Sequence, residues 1–302
     1  MYAGKSECTR AIFRLLFLAL LLSGCESGPV DSEAAALEAG RANVDAMYVE
    51  HANDTTGPSP AAQVEPARAV ISQMMAYTEL QDKLVYGYFS VPADMFEPLP
   101  AIIMIHEWWG LNDNIRAMAD RLAGEGYIVL AVDLFGGKVA ESPSEARMLM
   151  VEAIEEPELA RDNIRAAYHF VSDVAGAPRV GSIGWCFGGG WSLNTAQLFP
   201  EDIDAAVIYY GQVTDDEDVL RPVAAPILGL FGEDDTGIRV ESVRAFRAAL
   251  QRLRKNYEIH IYPGVGHAFA NPTGSNYNAA AAEDAWRRTL RFLDLHLSIN
   301  DA

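Results

Sequence analysis

The run Gly184-Trp185-Cys186-Phe187-Gly188-Gly189, entered from Val180-Gly181-Ser182-Ile183 and followed by Gly190-Trp191-Ser192-Leu193, constrains this chain more than any other stretch. It reads as a buried strand that turns sharply into a helix around one cysteine. Glycines two positions either side of the cysteine let the backbone double back without side-chain clashes, which is the signature of a nucleophile elbow. The thiol is then presented at a helix N-terminus, whose partial positive charge favours the thiolate. A cysteine there, rather than a serine, narrows the chemistry, because a thiol near its reference pKa of about 8.5 is readily ionised by a neighbouring base.

The sequence around the elbow alternates short apolar runs with amphipathic stretches. Strands are expected at Tyr86 to Val91, Ala101 to Ile105, Tyr127 to Val132, Val180 to Trp185, Ala205 to Tyr210, Pro226 to Phe231 and Glu258 to Tyr262. Helices are expected at Arg116 to Glu125, Ser144 to Val174 with a break near Pro157, Arg239 to Leu253 and Ala279 to Leu297. Such alternation implies an α/β fold with a mostly parallel sheet covered on both faces, whose active site lies beyond the carboxyl ends of the strands.

Three histidines follow the elbow. His267 alone sits in a loop directly after a strand, within Tyr262-Pro263-Gly264-Val265-Gly266-His267-Ala268-Phe269, where it can swing over the thiol. His260 lies inside a strand and His296 in the last helix, positions that suit packing or surface roles. A carboxylate to orient the imidazole is offered by Gly232-Glu233-Asp234-Asp235-Thr236-Gly237, and the residues alone leave Asp234 and Asp235 both open. At the end of the first buried strand, Ile105-His106-Glu107-Trp108-Trp109-Gly110 places the N–H of Trp108 opposite that of Phe187 as an oxyanion-binding pair. Glu107, a carboxylate beside that site, is suited to holding the thiol or taking its proton. Trp109 and Phe269 are candidates for the substrate pocket.

The chain has 302 residues and a formal charge of -19, which argues against nucleic acid as a partner. Residues 1–24 read as an export signal: Lys5, Arg10 and Arg14, then the apolar run Leu15 to Leu22, then small residues. The run ends in Leu22-Ser23-Gly24-Cys25, which resembles a bacterial lipobox, so Cys25 is expected to carry lipid and to hold the protein at the cell envelope. An ordinary secretory signal, leaving a soluble periplasmic or secreted protein, is the alternative. Cys8 departs with the leader and Cys25 is consumed, so Cys186 is left as the single thiol, with no internal disulfide. Residues 25–70, rich in Ala, Glu, Asp and Pro, read as an acidic tether with a short helix across Ser32 to Val49.

Taken in order, Glu107 in His-Glu-Trp-Trp-Gly, Asp133-Leu134-Phe135, the Gly-Trp-Cys-Phe-Gly-Gly-Gly elbow, Gly-Glu-Asp-Asp-Thr-Gly-Ile and Gly-Val-Gly-His-Ala-Phe resemble the dienelactone hydrolase (carboxymethylenebutenolidase) family over residues 78–298. The resemblance implies an α/β-hydrolase fold, a Cys186–Asp235–His267 triad with the register favouring Asp235, and a glutamate switch in which Glu107 holds the thiol until substrate arrives. It also implies hydrolysis of an ester or lactone through a cysteine acyl-enzyme. The family's carboxylate-binding arginine four residues after the histidine is replaced here by Asn271, and Arg147 is the candidate for a second such arginine. An uncharged ester is therefore expected as readily as an anionic lactone. No metal or organic cofactor is implied, a monomer is expected, and membrane contact is expected through the N-terminal lipid only. The alternatives are a broad carboxylesterase or thioesterase, and a non-catalytic binding protein on the same fold.

Overall fold

The structure, a computed structural model, describes residues 29–54 and 64–299; the expected leader and the expected lipidation site Cys25 lie outside them. An N-terminal helix, α1 (Pro29–Glu50), precedes a sheet whose strands are β1 (Val70–Leu80), β2 (Lys83–Pro92), β3 (Ala101–Ile105), β4 (Ile128–Val132), β5 (Val180–Trp185), β6 (Ala205–Tyr209), β7 (Ile227–Gly232) and β8 (Tyr257–Tyr262). The helices between and after them are α2 (Asp113–Gly124), α3 (Pro143–Glu155), α4 (Pro157–His169), α5 (Phe187–Leu198), α6 (Glu217–Leu220), α7 (Val240–Arg252) and α8 (Ala279–Leu297).

The strands form one sheet in the order β1-β2-β4-β3-β5-β6-β7-β8. Pairing is antiparallel from β1 through β2 to β4 and parallel from β4 to β8. Strands β3 to β7 are buried at every residue, as continuous apolar runs require when helices cover both faces. This is the mostly parallel, doubly covered sheet that the alternation of runs implied, and the α/β-hydrolase fold that the resemblance implied.

Two N-terminal features differ from the sequence reading. Strand β1 begins at Val70, ahead of residue 78 where the domain is expected to begin, and pairs with β2 through the two-residue turn Gln81-Asp82, both at positive φ. As a half-solvated edge strand it has no unbroken apolar run to mark it in the sequence. Its Ser72 hydroxyl joins Ser90 and Tyr88 on the Asp120 carboxylate, at 2.6, 2.8 and 3.0 Å, which pins the hairpin to α2. The second difference concerns the segment read as a tether. Helix α1 runs the full Pro29–Glu50 and packs on α3, with Val44 and Met47 buried, Asp45 paired with Arg147 at 2.5 Å, and Arg41 paired with Glu155. Its C-terminal end therefore reaches the carboxyl edge of the sheet.

Candidate active site

Cys186 joins β5 to α5 at φ +53° and ψ -116°, a left-handed conformation that a non-glycine residue holds only when its surroundings force it. The neighbouring glycines are required by close backbone approach. A Cβ on Gly184 would lie 2.0 Å from the Gly188 carbonyl oxygen, and one on Gly188 would lie 2.2 Å from that of Ile105. The elbow is thus wedged between its own helix and the end of β3. Phe187 is the first residue of α5, so its N–H precedes the helix's own hydrogen-bond ladder.

Beyond β7, Asp235 is buried while Asp234 is exposed, which resolves the pair that the residues left open. Asp235 Oδ1 accepts from the N–H groups of Gly237 (2.9 Å) and Ile238 (2.6 Å), and its Oδ2 accepts from His267 Nδ1 at 2.7 Å. That bond fixes the proton on Nδ1 and leaves Nε2, buried and without a hydrogen-bond partner, on the side of the thiol. Tyr210 packs edge-on against the His267 ring at 5.2 Å.

At the end of β3, His106 donates from Nδ1 to the Glu107 carbonyl (2.6 Å) and accepts at Nε2 from the Leu134 N–H (3.1 Å). Burial lowers its pKa, so it stays neutral and serves to brace the turn. Glu107 does not hold the thiol. Its Oε1 accepts from the Tyr210 hydroxyl (3.3 Å) and its Oε2 from Asn271 Nδ2 (3.0 Å). Burial first, then the charge of Cys186, raises its pKa to about 7.

The thiol instead faces α1. Sγ lies 3.6 Å from Met47 Sδ and 3.9 Å from Nε2 of His51, the residue directly after the helix. His51 Nδ1 bonds Asp54 Oδ2 at 2.6 Å, and Asp54 in turn accepts from the N–H (2.9 Å) and hydroxyl (3.2 Å) of Ser275. The His51 ring stacks on Trp108 at 4.6 Å and meets His267 edge-on at 5.2 Å. One donor atom each from His51, Cys186 and His267 fall within 4.8 Å of one another. The 3.9 Å sulfur–nitrogen gap is wider than the roughly 3.5 Å edge of a tetrahedral zinc site, and suits an ion pair.

Electrostatics follow from this crowding. Burial alone would push the Cys186 thiol up, but the nearby charges of His267 and His51 and the contact with His51 outweigh it and bring the group down to about 6. Burial would lower both histidines. Asp54 and Cys186 nevertheless lift His51 to about 9, and Cys186 and Asp235 hold His267 well above its usual value. The arrangement favours a thiolate between two imidazolium rings, each backed by a carboxylate.

Three of the four residues expected to bind substrate stand elsewhere, and the fourth, Asn271, is held against Glu107. Trp109 and Phe269 are core, at 1% and 0% exposure; Phe269 packs on Tyr210 and Tyr262 because the turn after β8 folds it inward. Arg147 is taken by Asp45 of α1. Asn271 is buried, giving its amide N–H to Glu107 and its oxygen to Thr273. Sequence reasoning does not reach Met47, His51 and Asp54, which lie in an Ala- and Glu-rich N-terminal segment, nor Tyr210, which ends a buried apolar run without a local mark. The available signal was His-Ala-Asn-Asp at the end of a helical stretch.

Cys186 lines a groove of about 890 Å³ between α1, α3, α4 and α5, lined also by Val44, Met47, Trp191 and Tyr210. A separate cavity of about 310 Å³ lies behind Glu107 and Asn271, walled by Trp185, Tyr209 and Trp286.

The profile described as the dienelactone hydrolase family matches residues 85–297. A protein of Saccharolobus solfataricus, provisionally named a carboxymethylenebutenolidase, is 33% identical over 234 residues, covering 65% of this chain and 89% of that one. A relative from Escherichia coli with the same provisional name is 31% identical over 254 residues, covering 75% and 93%. The crystal structure of a provisionally assigned dienelactone hydrolase from Klebsiella pneumoniae superposes with a TM-score of 0.64 at 27% identity, covering 74% of this chain and 98% of that one.

Proposed function

The chain belongs to the dienelactone hydrolase family and is a carboxylic ester hydrolase, and from that premise we propose that it cleaves an uncharged ester or lactone through an acyl intermediate on Cys186. The observation that carries this reading is the Asp235–His267 pair, 2.7 Å apart, whose second ring nitrogen is left without a partner beside the strained thiol. The thiolate attacks the carbonyl carbon, and the N–H groups of Phe187 and Trp108 receive the oxyanion. Collapse breaks the ester C–O bond, and the leaving oxygen takes the proton from His267 Nε2. His267, now neutral, accepts a proton from water. The resulting hydroxide cleaves the thioester and returns the thiolate.

Glu107 acts by keeping charge away. With its pKa raised to about 7, it is protonated in a large share of molecules at neutral pH, which spares the oxyanion a repelling neighbour. The preference for an uncharged substrate is supported by the state of the nearby cations. Arg147 is paired with Asp45, Arg161 with Glu158, and Arg121 sits 4.3 Å over the Trp286 ring. We further propose that the enzyme works at the bacterial cell envelope, held by lipid on Cys25.

The test uses Cys186→Ala with a neutral aryl ester and an anionic analogue of equal leaving group. The parent enzyme should show the higher kcat/KM for the neutral ester, and the variant should lose turnover of both while keeping its circular dichroism. Retained hydrolysis would remove the covalent mechanism; preference for the anion would remove the substrate assignment.

A further inference from the structure

The thiol has two imidazoles within reach, and the reaction outlined above uses only one of them. His51 is as fully built into the site as His267. It is buried, its ring is clamped by stacking on Trp108, and its far nitrogen is fixed by Asp54, which Ser275 anchors through two hydrogen bonds. A carboxylate on one nitrogen and a reacting atom opposite the other is the pattern of a working histidine, since the carboxylate sets the tautomer and stabilises the cation. The two dyads, His51–Asp54 and His267–Asp235, converge on Sγ from different parts of the chain.

The other groups that face the sulfur leave this task to His51. Glu107, from the turn after β3, has both oxygens engaged by Tyr210 and Asn271. Tyr210, after β6, points its hydroxyl at Glu107, and burial keeps it protonated. Met47, from α1, offers a thioether without charge. His267, after β8, has to give its Nε2 to the leaving-group oxygen and then to water, so it cannot remain on the sulfur through the cycle. A buried thiolate left without a counter-charge is costly.

We propose that His51 is a second catalytic histidine, which takes the proton of the Cys186 thiol and stays as its imidazolium partner while His267 serves the leaving group and the water, with Asp54 positioning it. In the activating step the S–H bond breaks and an N–H bond forms on His51 Nε2, with no change in oxidation state. When the thioester is cleaved, the departing thiolate returns to the same imidazolium. Activation occurs once, ahead of the cycle; the ester and water consumed appear as acid and alcohol, and both histidines end each turnover as the imidazolium ions with which it began. This rests on the acyl-enzyme reading of Cys186. It adds a residue that lies outside the stretch matched by the family profile, which begins at residue 85.

The test measures the pH dependence of Cys186 alkylation by iodoacetamide in the whole protein, a readout of the thiolate that does not depend on hydrolysis. The parent should show an inflection near 6, with reactivity present above it and lost as the pH falls through it. His51→Gln should move the inflection up by about 1–3 units, the span expected for removing an adjacent opposite charge. Its kcat should fall equally for aryl esters with good leaving groups and for alkyl esters, and should recover as the pH passes the new inflection. His267→Gln should instead slow the acylation burst of alkyl esters more than that of aryl ones, because only the poorer leaving group depends on a proton, and should slow cleavage of the thioester equally for both. If His51→Gln melts early, Asp54→Asn takes its place, keeping the ring and its stacking and giving a smaller shift in the same direction. An inflection unmoved in the folded variant would reduce His51 to a packing residue. If Cys186→Ala were to retain hydrolysis while the alkylation shift appeared, the acyl-enzyme reading would fail and the thiol–His51 pairing would stand.

Discussion

At the scale of single residues, the two adjacent aspartates show what burial decides. Asp235 has both oxygens committed, one to the turn amides and one to His267, whereas Asp234 projects into solvent. Asp235→Asn places an amide N–H against His267 Nδ1, which forces the ring proton onto Nε2 and disarms it as a base. The expected cost in kcat approaches about 10⁴-fold, against less than about twofold for an exposed change such as Asp234→Asn. Steady-state kinetics of the two variants would decide it, and the reverse ranking would show that another carboxylate serves the histidine. The turns that carry Cys186, Glu107, Asp235 and His267 were legible in the sequence because each sits at a strand end, where local glycines report the backbone directly, but the residues alone left Asp234 and Asp235 open, and the thiol contact expected of Glu107 goes instead to Tyr210 and Asn271. Trp109, Phe269, Asn271 and Arg147 were not assignable in this way. An aromatic near a strand end has no sequence mark that says which side of the turn it faces, and the partners of Asn271 and Arg147 lie 164 and 102 residues away.

Among the elements, α1 was the least legible, although a helix there was expected. Its Ala- and Glu-rich composition conceals the few apolar residues that dock it, Val44 and Met47, and the seat for Met47 is a glycine far along the chain. A Cβ on Gly237 would fall 2.0 Å from Met47 Cε. Two kinds of contact hold the helix, and their magnitudes differ. The Asp45–Arg147 and Arg41–Glu155 pairs are each about half exposed, and such pairs contribute about 0–1 kcal/mol. Burial of one Val or Met side chain contributes about 1.5–3 kcal/mol. Asp45→Asn should therefore leave α1 seated, while Val44→Asp should release it. Limited proteolysis would register the release as rapid cleavage between residues 29 and 63, with the remaining domain intact. Equal protection in both variants would mean that the apolar seat is not what holds the helix.

For the whole molecule, the parallel sheet and its order of helices were legible because buried strands read as unbroken apolar runs, whereas β1, paired on one edge only, has none. The N-terminal reading carries a prediction at the same scale. If Cys25 bears lipid, Cys25→Ala should move the protein from the membrane to the soluble fraction of cells, with ester turnover by the folded domain unchanged. Unaltered membrane association would point to another mode of attachment. No described helix is long and apolar enough to cross a bilayer. The seat of α1 also sets an order of events during synthesis. His51, Glu50 and Asp54 leave the ribosome early, yet they bond to partners 135, 186 and 221 residues later, at Cys186, Thr236 and Ser275. Contacts so distant in sequence close late, so the first helix to be made is among the last to dock. Until the final third of the chain has been made and folded, Cys186 lacks His267 and Asp54 lacks its Ser275 anchor, so under the proposed mechanism a nascent or truncated chain carries an unarmed thiol.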